Sequence, residues 1–256
     1  MDSEQLPLSG RTALVTGAGR GVGRGIALAL ADAGARVAVN DLYAERAAAV
    51  AAEATARDGT ALPLAFDVTD EQSVADALAR LREQAGGVDV LVHNAGVLDG
   101  GGRPSRFADM PVADWRAQLD LNLAALMLLV QQVLPHQVEQ GWGRLVQISS
   151  GASAQGLPIG VAAYGAAKAG GEGLMRHLAV EYGPHGVTAN SLALGLMEGL
   201  GRADEPRVRR MIDSVPVRRL GTGADAGAAV LWLASEPGGY TNGQVIHLNG
   251  GTVFGR

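Results

Sequence analysis

The chain contains a single lysine, and its spacing from a tyrosine suggests acid/base chemistry. All but one of the 21 Lys and Arg residues are arginine, and the exception, Lys168, follows Tyr164 by four positions in an alanine-rich segment. On a helix, residues four apart share a face. A nearby ammonium lowers the pKa of a tyrosine from its ordinary value of about 10. Such a tyrosine can accept a proton from an alcohol or donate one to a ketone. The pair therefore predicts proton transfer at a hydroxyl or carbonyl group.

A glycine-rich segment near the N-terminus predicts a dinucleotide site. Residues 12–16 have the pattern of a buried strand, residues 17–23 read Gly-Ala-Gly-Arg-Gly-Val-Gly, and residues 24–33 have the pattern of a helix. Glycines at such a turn let the backbone approach a pyrophosphate, which meets the N–H groups and positive dipole of the helix N-terminus. The predicted contacts are Gly17, Arg20, Gly21, Val22 and Gly23.

An acidic residue at the end of the second predicted strand indicates which dinucleotide binds. Residues 36–40 form that strand, and Asp41 follows it about twenty residues after the glycines. A carboxylate at this position suits the adenine ribose hydroxyls of NAD and repels the additional phosphate of NADP. An ordinary helix cap is the alternative role for Asp41. We predict NAD as the cofactor, with NADP possible.

The elements that must position these residues alternate along the whole chain. Strand-like apolar runs alternate with alanine-rich helical segments, a pattern typical of a parallel sheet covered on both faces. The sequence predicts one domain over residues 1–256, an α/β fold of the Rossmann type with a doubly wound parallel sheet of about seven strands. The segment 195–220 is charged, contains two prolines and is predicted to be an irregular lid over the substrate. The remaining predicted strands are 61–66, 88–93, 143–148, 187–192 and 244–248, and the remaining helices are 44–57, 71–84, 113–140, 163–182 and 224–234.

Composition excludes several classes of function. The net charge is -5 and no basic tract is present, so we expect no nucleic-acid partner. The chain has no cysteine, and its five histidines are scattered without ligand spacing, so no metal site is predicted. The first five residues are acidic and do not resemble a signal peptide. The longest apolar stretch, 121–130, is too short to cross a bilayer, so we expect no membrane partner and a cytoplasmic location.

Several motifs, in order along the chain, resemble those of the short-chain dehydrogenase/reductase family. The resemblance runs from Leu8 to about Gly251 and combines the glycine loop with the Tyr164/Lys168 pair. It also includes the C-terminal segment from Asn242-Gly243-Gln244 to Asn249-Gly250-Gly251. The resemblance adds further cofactor contacts to those predicted above: Asp67 and Val68 beside the adenine, and Asn94, Ala95 and Gly96 at the end of the fourth strand, with Tyr164 and Lys168 at the nicotinamide ribose.

The resemblance also implies a role for each catalytic residue. Ser150 would hydrogen-bond the substrate oxygen, Tyr164 would be the acid/base, and Lys168 would hold the ribose and lower the tyrosine pKa. Asn122 would hold a water that links the lysine to solvent; its alternative role is a core amide that bends its helix. Ser149 and Ser153 are alternatives to Ser150. The family usually places the serine at the position that is Gly151 here, so Ser150 implies a one-residue insertion.

Two departures from the family pattern affect the predicted cofactor site. The family's Pro-Gly after the sixth strand, with a nearby threonine on the nicotinamide amide, is replaced by Leu-Gly-Leu-Met-Glu at 194–198. Arg20 stands where NADP-dependent members often carry a basic residue, in conflict with Asp41. We give Asp41 precedence because its carboxylate would face the 2′-phosphate.

The sequence thus predicts an NAD(H)-dependent oxidoreductase that acts on a secondary alcohol or ketone. The alternatives are an NADP(H)-dependent 3-oxoacyl thioester reductase and, less favoured because all four catalytic residue types are present, a catalytically silent NAD(H)-binding regulator. Residues 119–133 are apolar around most of the helix, and residues 166–173 are rich in small side chains. A helix of the first kind must be covered on a second side. The resemblance therefore implies a homotetramer, with a dimer as the fallback.

Overall fold

Seven parallel strands form the central sheet of this computed structural model, which describes residues 6–98, 105–199 and 204–253. The strand order is β3-β2-β1-β4-β5-β6-β7, so the direction of winding reverses between β1 and β4. The predicted doubly wound sheet is confirmed. Its strands are β1 (Thr12–Val15), β2 (Arg36–Val39), β3 (Thr60–Pro63), β4 (Val90–His93), β5 (Gly143–Ser150), β6 (Val187–Leu194) and β7 (Val245–Leu248).

Helices cover both faces of the sheet, because apolar side chains of the central strands point alternately to the two sides. On one face Val15 and Val39 pack with the first, second and last helices of the chain, and on the other Leu14 and Leu91 pack with the third, fifth and sixth. The helices are α1 (Gly21–Asp32), α2 (Ala44–Thr55), α3 (Glu71–Ala85), α4 (Val112–Leu119), α5 (Ala125–Gln140), α6 (Ala162–Tyr182), α7 (Pro206–Ser214) and α8 (Gly223–Ala234).

Three predicted elements differ from those in the structure. The strand predicted at 61–66 is β3, which ends at Pro63, and the Asn40 side chain binds the carbonyls of Leu64 (3.2 Å) and Phe66 (3.0 Å) beyond it. The helix predicted at 113–140 is interrupted by a π-helical turn, Asp120–Ala124, between α4 and α5. The segment predicted to be irregular at 195–220 contains α7, and residues 200–203 of that segment lie outside the described part.

The continuous helical run Val112–Gln140 is 29 residues long and, by length and composition alone, could cross a membrane, with a mean hydropathy of 1.4 over its most apolar window. The prediction that no segment is long enough considered only the apolar stretch and missed this run. In the fold, Leu126, Leu129 and Val133 of α5 are buried against the sheet and the neighbouring helices. The run is therefore a core helix.

Candidate active site

The predicted pyrophosphate loop connects the end of β1 to the start of α1. Gly17 and Gly21 have φ angles of 59° and 53°, which only glycine adopts readily. At Gly23 a Cβ atom would lie 2.3 Å from the Gly17 carbonyl oxygen and 2.5 Å from Asn94 Nδ2, so only glycine fits there. The Asn94 amide in turn donates to the carbonyls of Thr16 (3.0 Å) and Gly17 (2.9 Å). These contacts hold the glycine loop in a conformation that places its backbone at the N-terminus of α1, where binding of an anion is favoured.

A hydrogen-bond cluster at the ends of β1 and β4 fixes the protonation of His93. The Thr16 hydroxyl oxygen accepts from the backbone N–H groups of Asn94 and Ala95, both at 3.1 Å. Its own proton is then left for His93 Nδ1, 3.4 Å away, which places the imidazole proton on Nε2. Burial, with a smaller contribution from the Lys168 charge, lowers the pKa of His93 to about 3. The imidazole is therefore neutral and structural.

Asp41 is buried and bound to the glycine loop. Its carboxylate accepts from the N–H of Gly19 (3.1 Å) and from the N–H of Tyr43 (3.1 Å). The Arg46 guanidinium lies 3.9 Å from the carboxylate and stacks over the Tyr43 ring at 4.1 Å. Sequence reasoning missed Arg46, although its position one helical turn beyond Asp41 could have indicated it. The carboxylate stands near the end of β2, beside the loop.

The other predicted adenine contacts lie in the turn after β3. Asp67 Oδ1 accepts from the backbone N–H of Thr69 (2.8 Å) and from its hydroxyl (2.7 Å). The Asp67 carboxylate therefore stabilises its own turn, and Val68 beside it is buried.

Arg20, a predicted contact of the glycine loop, is the residue before α1, and its side chain is exposed to solvent.

Tyr164 and Lys168 lie on the same face of α6, as their spacing predicts. The lysine Nζ atom is 5.6 Å from the centre of the tyrosine ring and donates to the Ile148 carbonyl at 2.8 Å. Burial lowers the pKa of Lys168 to about 8, while the Glu172 carboxylate raises it. Burial raises the pKa of Tyr164 above its ordinary value, and interaction with the Ser150 hydroxyl opposes that effect. The structure thus brings a serine hydroxyl, a phenol and an ammonium together.

The three serines at the end of β5 have different partners. Ser149 and Ser153 each place a hydroxyl 2.5 Å from Oε1 of Glu172. Ser150 Oγ accepts from the backbone N–H of Ala152 at 3.2 Å, and the Ser150 hydroxyl is hydrogen-bonded to the Tyr164 phenol. Of the alternatives that the sequence left open, Ser150 is therefore the one whose hydroxyl is near the phenol.

Asn122 occupies the π-helical turn and is fully buried. Its Nδ2 donates to the backbone carbonyl of Gln118 (3.1 Å) and to the Gln118 side chain (3.2 Å). Its Oδ1 has no hydrogen-bond partner among the described residues. A Cβ atom on Gly96 would lie 2.7 Å from this oxygen and 2.8 Å from Lys168 Nζ. The acceptor and the ammonium thus border the same small space beside Gly96, as a lysine-to-solvent relay requires.

A cavity of about 890 Å³ lies between the segment 152–162, the start of α6 and residues 105–107, and its lining includes none of Ser150, Tyr164 and Lys168. Ala152, Leu157 and Ile159 line this cavity. Leu196 and Met197, which follow β6, do not line it, and Met197 forms a bridge with Gly221. Within the described residues, no group of three His, Asp or Glu side chains could hold a metal ion.

The glycine loop, the Asn94–Gly96 segment and the catalytic cluster all lie at the carboxyl end of the sheet. The loop follows β1 and Asn94 follows β4, and these two strands flank the reversal of winding. Open α/β sheets bind dinucleotides at that point. Backbone N–H groups at the start of α1, a buried carboxylate at the end of β2 and a buried ammonium are groups that suit a nicotinamide dinucleotide, so the residues present fit this cofactor.

Comparison with known proteins supports this interpretation along nearly the whole chain. A family model described as "Enoyl-(Acyl carrier protein) reductase" matches residues 17–253. The 7α-hydroxysteroid dehydrogenase of Escherichia coli strain K12 is 35% identical over 255 residues, covering 98% of this chain and 98% of that protein. The 3-oxoacyl-[acyl-carrier-protein] reductase of Aquifex aeolicus is 36% identical over 250 residues, covering 96% and 99%.

Solved structures of similar proteins have the same fold, and one of them contains NADH and another NADP. A 7α-hydroxysteroid dehydrogenase complexed with NADH and 7-oxo glycochenodeoxycholic acid has a TM-score of 0.89 at 34% identity, covering 99% of this chain and 98% of that chain. A gluconate 5-dehydrogenase from Burkholderia cenocepacia, in complex with NADP and tartrate, has a TM-score of 0.88 at 31% identity, covering 97% of both chains. The chain belongs to the short-chain dehydrogenase/reductase family and is an NAD(P)-dependent oxidoreductase of alcohols and ketones.

Proposed function

We propose that this protein is an NAD(H)-preferring oxidoreductase of a secondary alcohol or ketone, with Tyr164 as the acid/base. The observation that carries the proposal is the grouping of the Ser150 hydroxyl, the Tyr164 phenol and the buried Lys168 ammonium beside the dinucleotide loop. When bound, the cofactor accepts or supplies the hydride. The protein's part is to hold the reacting oxygen and to move its proton.

Each catalytic side chain has a defined role in this proposal. Ser150 donates a hydrogen bond to the substrate oxygen, and Tyr164 gives that oxygen a proton in reduction or takes one in oxidation. Lys168 binds the nicotinamide ribose, and its charge, 5.6 Å from the centre of the Tyr164 ring, favours the phenolate that forms when the tyrosine gives up its proton. Asn122 offers a buried acceptor beside the lysine, through which water can return the proton to solvent.

Substitution of Tyr164 tests the acid/base assignment. Tyr164→Phe keeps the ring and removes the proton, so turnover should fall by about 100-fold or more while the dissociation constant for NADH changes little. Tyr240→Phe is the matched control, because Tyr240 is fully exposed and should leave both quantities unchanged. Near-normal turnover by Tyr164→Phe would show that another group transfers the proton.

The substrate is proposed to be a nonpolar or cyclic ketone or the corresponding alcohol. The cavity between residues 105–107 and 152–162, next along the chain from Ser150, has the apolar side chains of Leu157, Ile159 and Val161 in its lining. Its lining also includes Arg106, which could meet an anionic group. The relatives include a hydroxysteroid dehydrogenase and a 3-oxoacyl reductase, which keeps the thioester reductase as the second candidate. A panel of cyclic ketones, hydroxysteroids and 3-oxoacyl thioesters, assayed with NADH and NADPH in parallel, separates the two.

The segment 195–220 is proposed to cover the substrate as a lid. It leaves the carboxyl end of β6, where Met197 forms a bridge with Gly221, and it carries α7. Its entry point beside the catalytic strands supports the proposal. Replacement of α7 by a short glycine-serine linker should raise KM for a large ketone far more than it changes the dissociation constant for NADH. An unchanged KM would exclude the lid role.

The proposed assembly is a homotetramer, with a dimer as the fallback. On α5 the Met127 side chain is 42% exposed, and α6 has glycines and alanines on its outer side, so both helices can accept a neighbouring helix. The last strand, β7, is at the edge of the sheet and only half-buried. Light scattering should give about four times the chain mass of 26.2 kDa. An active monomer would refute the proposed assembly.

We further propose a cytoplasmic location.

A further inference from the structure

A buried carboxylate with no role in the proposed reaction lies directly behind the catalytic cluster. Glu172 is 8% exposed on α6, one turn beyond Lys168 and two turns beyond Tyr164. Burying a carboxylate is costly unless it is hydrogen-bonded or paired. The cost is met here by two hydroxyls, those of Ser149 and Ser153, each 2.5 Å from the same oxygen, Oε1. Hydrogen bonds to an ionised acceptor are shorter and stronger than neutral ones.

The two hydroxyls that contact Glu172 flank Ser150 on either side. Ser149 is the residue before it at the end of β5, and Ser153 ends the single 3₁₀ turn that follows it. The Ser153 hydroxyl shares its single proton between Glu172 Oε1 and the Ser150 backbone carbonyl, which is 2.7 Å from Ser153 Oγ. The segment that carries Ser150 is therefore attached at both of its ends to α6, the helix that carries Tyr164.

We infer that Glu172 is a positioning residue, which sets the Ser150 hydroxyl against the Tyr164 phenol through its contacts with Ser149 and Ser153. This inference rests on the proposed function, because it assigns Glu172 to the reaction that Ser150 and Tyr164 carry out. Small errors in the position of a catalytic group cost large factors in rate. Loss of the contacts should thus reduce kcat.

A second effect of Glu172 acts through charge and can be separated from the first. The carboxylate raises the pKa of Lys168 against the lowering caused by burial, which favours the ammonium form. Glu172→Gln removes the charge but retains a carbonyl oxygen that can accept from a serine hydroxyl. Glu172→Leu removes both charge and acceptor at similar volume. The difference between the two variants therefore separates positioning from electrostatics.

Steady-state kinetics on the best substrate of the panel test the inference. Glu172→Leu should lower kcat by about tenfold or more, whereas the dissociation constant for NADH should stay within about twofold, since no cofactor contact is removed. Glu172→Gln should recover most of the lost kcat. Glu181→Gln, an exposed acid on the same helix, is the matched control and should behave as the unaltered protein. A kcat within about twofold for Glu172→Leu would overturn the inference.

Hydrogen exchange of the backbone keeps the test independent of turnover. Amides of residues 150–155 should exchange about tenfold faster in Glu172→Leu than in the unaltered protein, while those of β5 upstream stay protected. If no substrate is found, so that the proposed function fails, this exchange still decides the structural part of the inference: unchanged rates overturn it. Should Glu172→Leu not fold, the double variant Ser149→Ala, Ser153→Ala removes the same two hydrogen bonds and is judged by the same criteria.

Discussion

The proposed preference for NAD(H) over NADP(H) depends mainly on one side chain, that of Asp41. Asp41 is 6% exposed, and its two oxygens each accept one backbone N–H, from Gly19 and from Tyr43. A carboxylate fixed in this way cannot turn aside for an additional phosphate on the adenine ribose. Asp41→Asn removes the charge and retains most of the shape, so it isolates the electrostatic part of the discrimination.

The size of the effect follows from Coulomb's law. Two unit charges about 4 Å apart repel by about 1 kcal/mol in water and by about 4 kcal/mol at an effective dielectric constant of about 20. A phosphate monoester carries about 1.5 to 2 negative charges. The Arg46 guanidinium, 3.9 Å from Asp41, offsets part of that repulsion. We therefore expect a net change of about 2 kcal/mol, which corresponds to about 30-fold in the ratio of NADPH to NADH affinity.

Fluorescence titration of NADH and NADPH measures this ratio without any knowledge of the substrate. The ratio is informative because damage to the loop by the substitution weakens both cofactors alike. Glu45→Gln is the matched control: it removes one negative charge from an exposed position on the first turn of α2. In the Asp41→Asn background, Arg46→Ala should weaken NADPH more than NADH, since Arg46 is then free to meet the phosphate.

Two results would refute the reasoning about Asp41. A change of less than about threefold in the ratio on Asp41→Asn would mean that the carboxylate does not face the 2′ position of the ribose. Tighter binding of NADPH than of NADH by the unaltered protein would mean that positive charge decides the preference. In that case the exposed Arg20 and the neighbouring Arg46 become the determinants.

Three further changes test the site at other points. Lys168→Ala should weaken NADH binding and lower kcat together, because the ribose contact and the charge beside Tyr164 are lost at once; a change in only one of the two quantities would contradict the dual role. Gly23→Ala places a Cβ atom 2.3 Å from the Gly17 carbonyl, so NADH affinity should fall at least about tenfold, whereas Gly156→Ala, with open space around it, should not change it. The pKa of His93 is about 3 in the fold against 6.5 in the unfolded chain, so the unfolded state binds the extra proton and stability falls as pH drops below about 6.5. In His93→Asn the free energy of unfolding should depend on pH less steeply, by about 1.4 kcal/mol per pH unit between roughly pH 4 and 6, as measured by denaturant titration; an equal slope in both proteins would place the titration elsewhere.

The sheet and the dinucleotide loop were predictable because their signals are local. A buried strand, a glycine run and a helix follow one another within residues 12–33, and each depends on neighbours a few positions away. The spacing of Tyr164 and Lys168 is likewise a property of one helix. The strand order does not follow from this pattern alone, because right-handed connections are compatible with more than one order of a doubly wound sheet.

Features that depend on distant partners were not predictable. The third strand ends early because the Asn40 side chain, 24 positions away from Leu64, satisfies carbonyls that the pattern assigned to the sheet. The π-helical turn at Asn122 leaves no mark on an apolar periodicity that fits one long helix.

The three serines at the end of β5 show why the sequence predicts that a serine takes part in the reaction but does not determine which serine it is. Ser149, Ser150 and Ser153 lie close together in the sequence, and none of them is at the position where the family usually has its serine, which is Gly151 here. The difference between them is their contact with Glu172. This residue is 19 positions from Ser153 and 23 from Ser149, and its carboxylate accepts hydrogen bonds from both of their hydroxyls. With those hydroxyls engaged, only Ser150 remains available to a substrate oxygen. The identity of the serine that can bind substrate therefore depends on which hydroxyls beside it are already hydrogen-bonded. Those hydrogen bonds depend on the packing of β5 against α6, which the sequence pattern does not give.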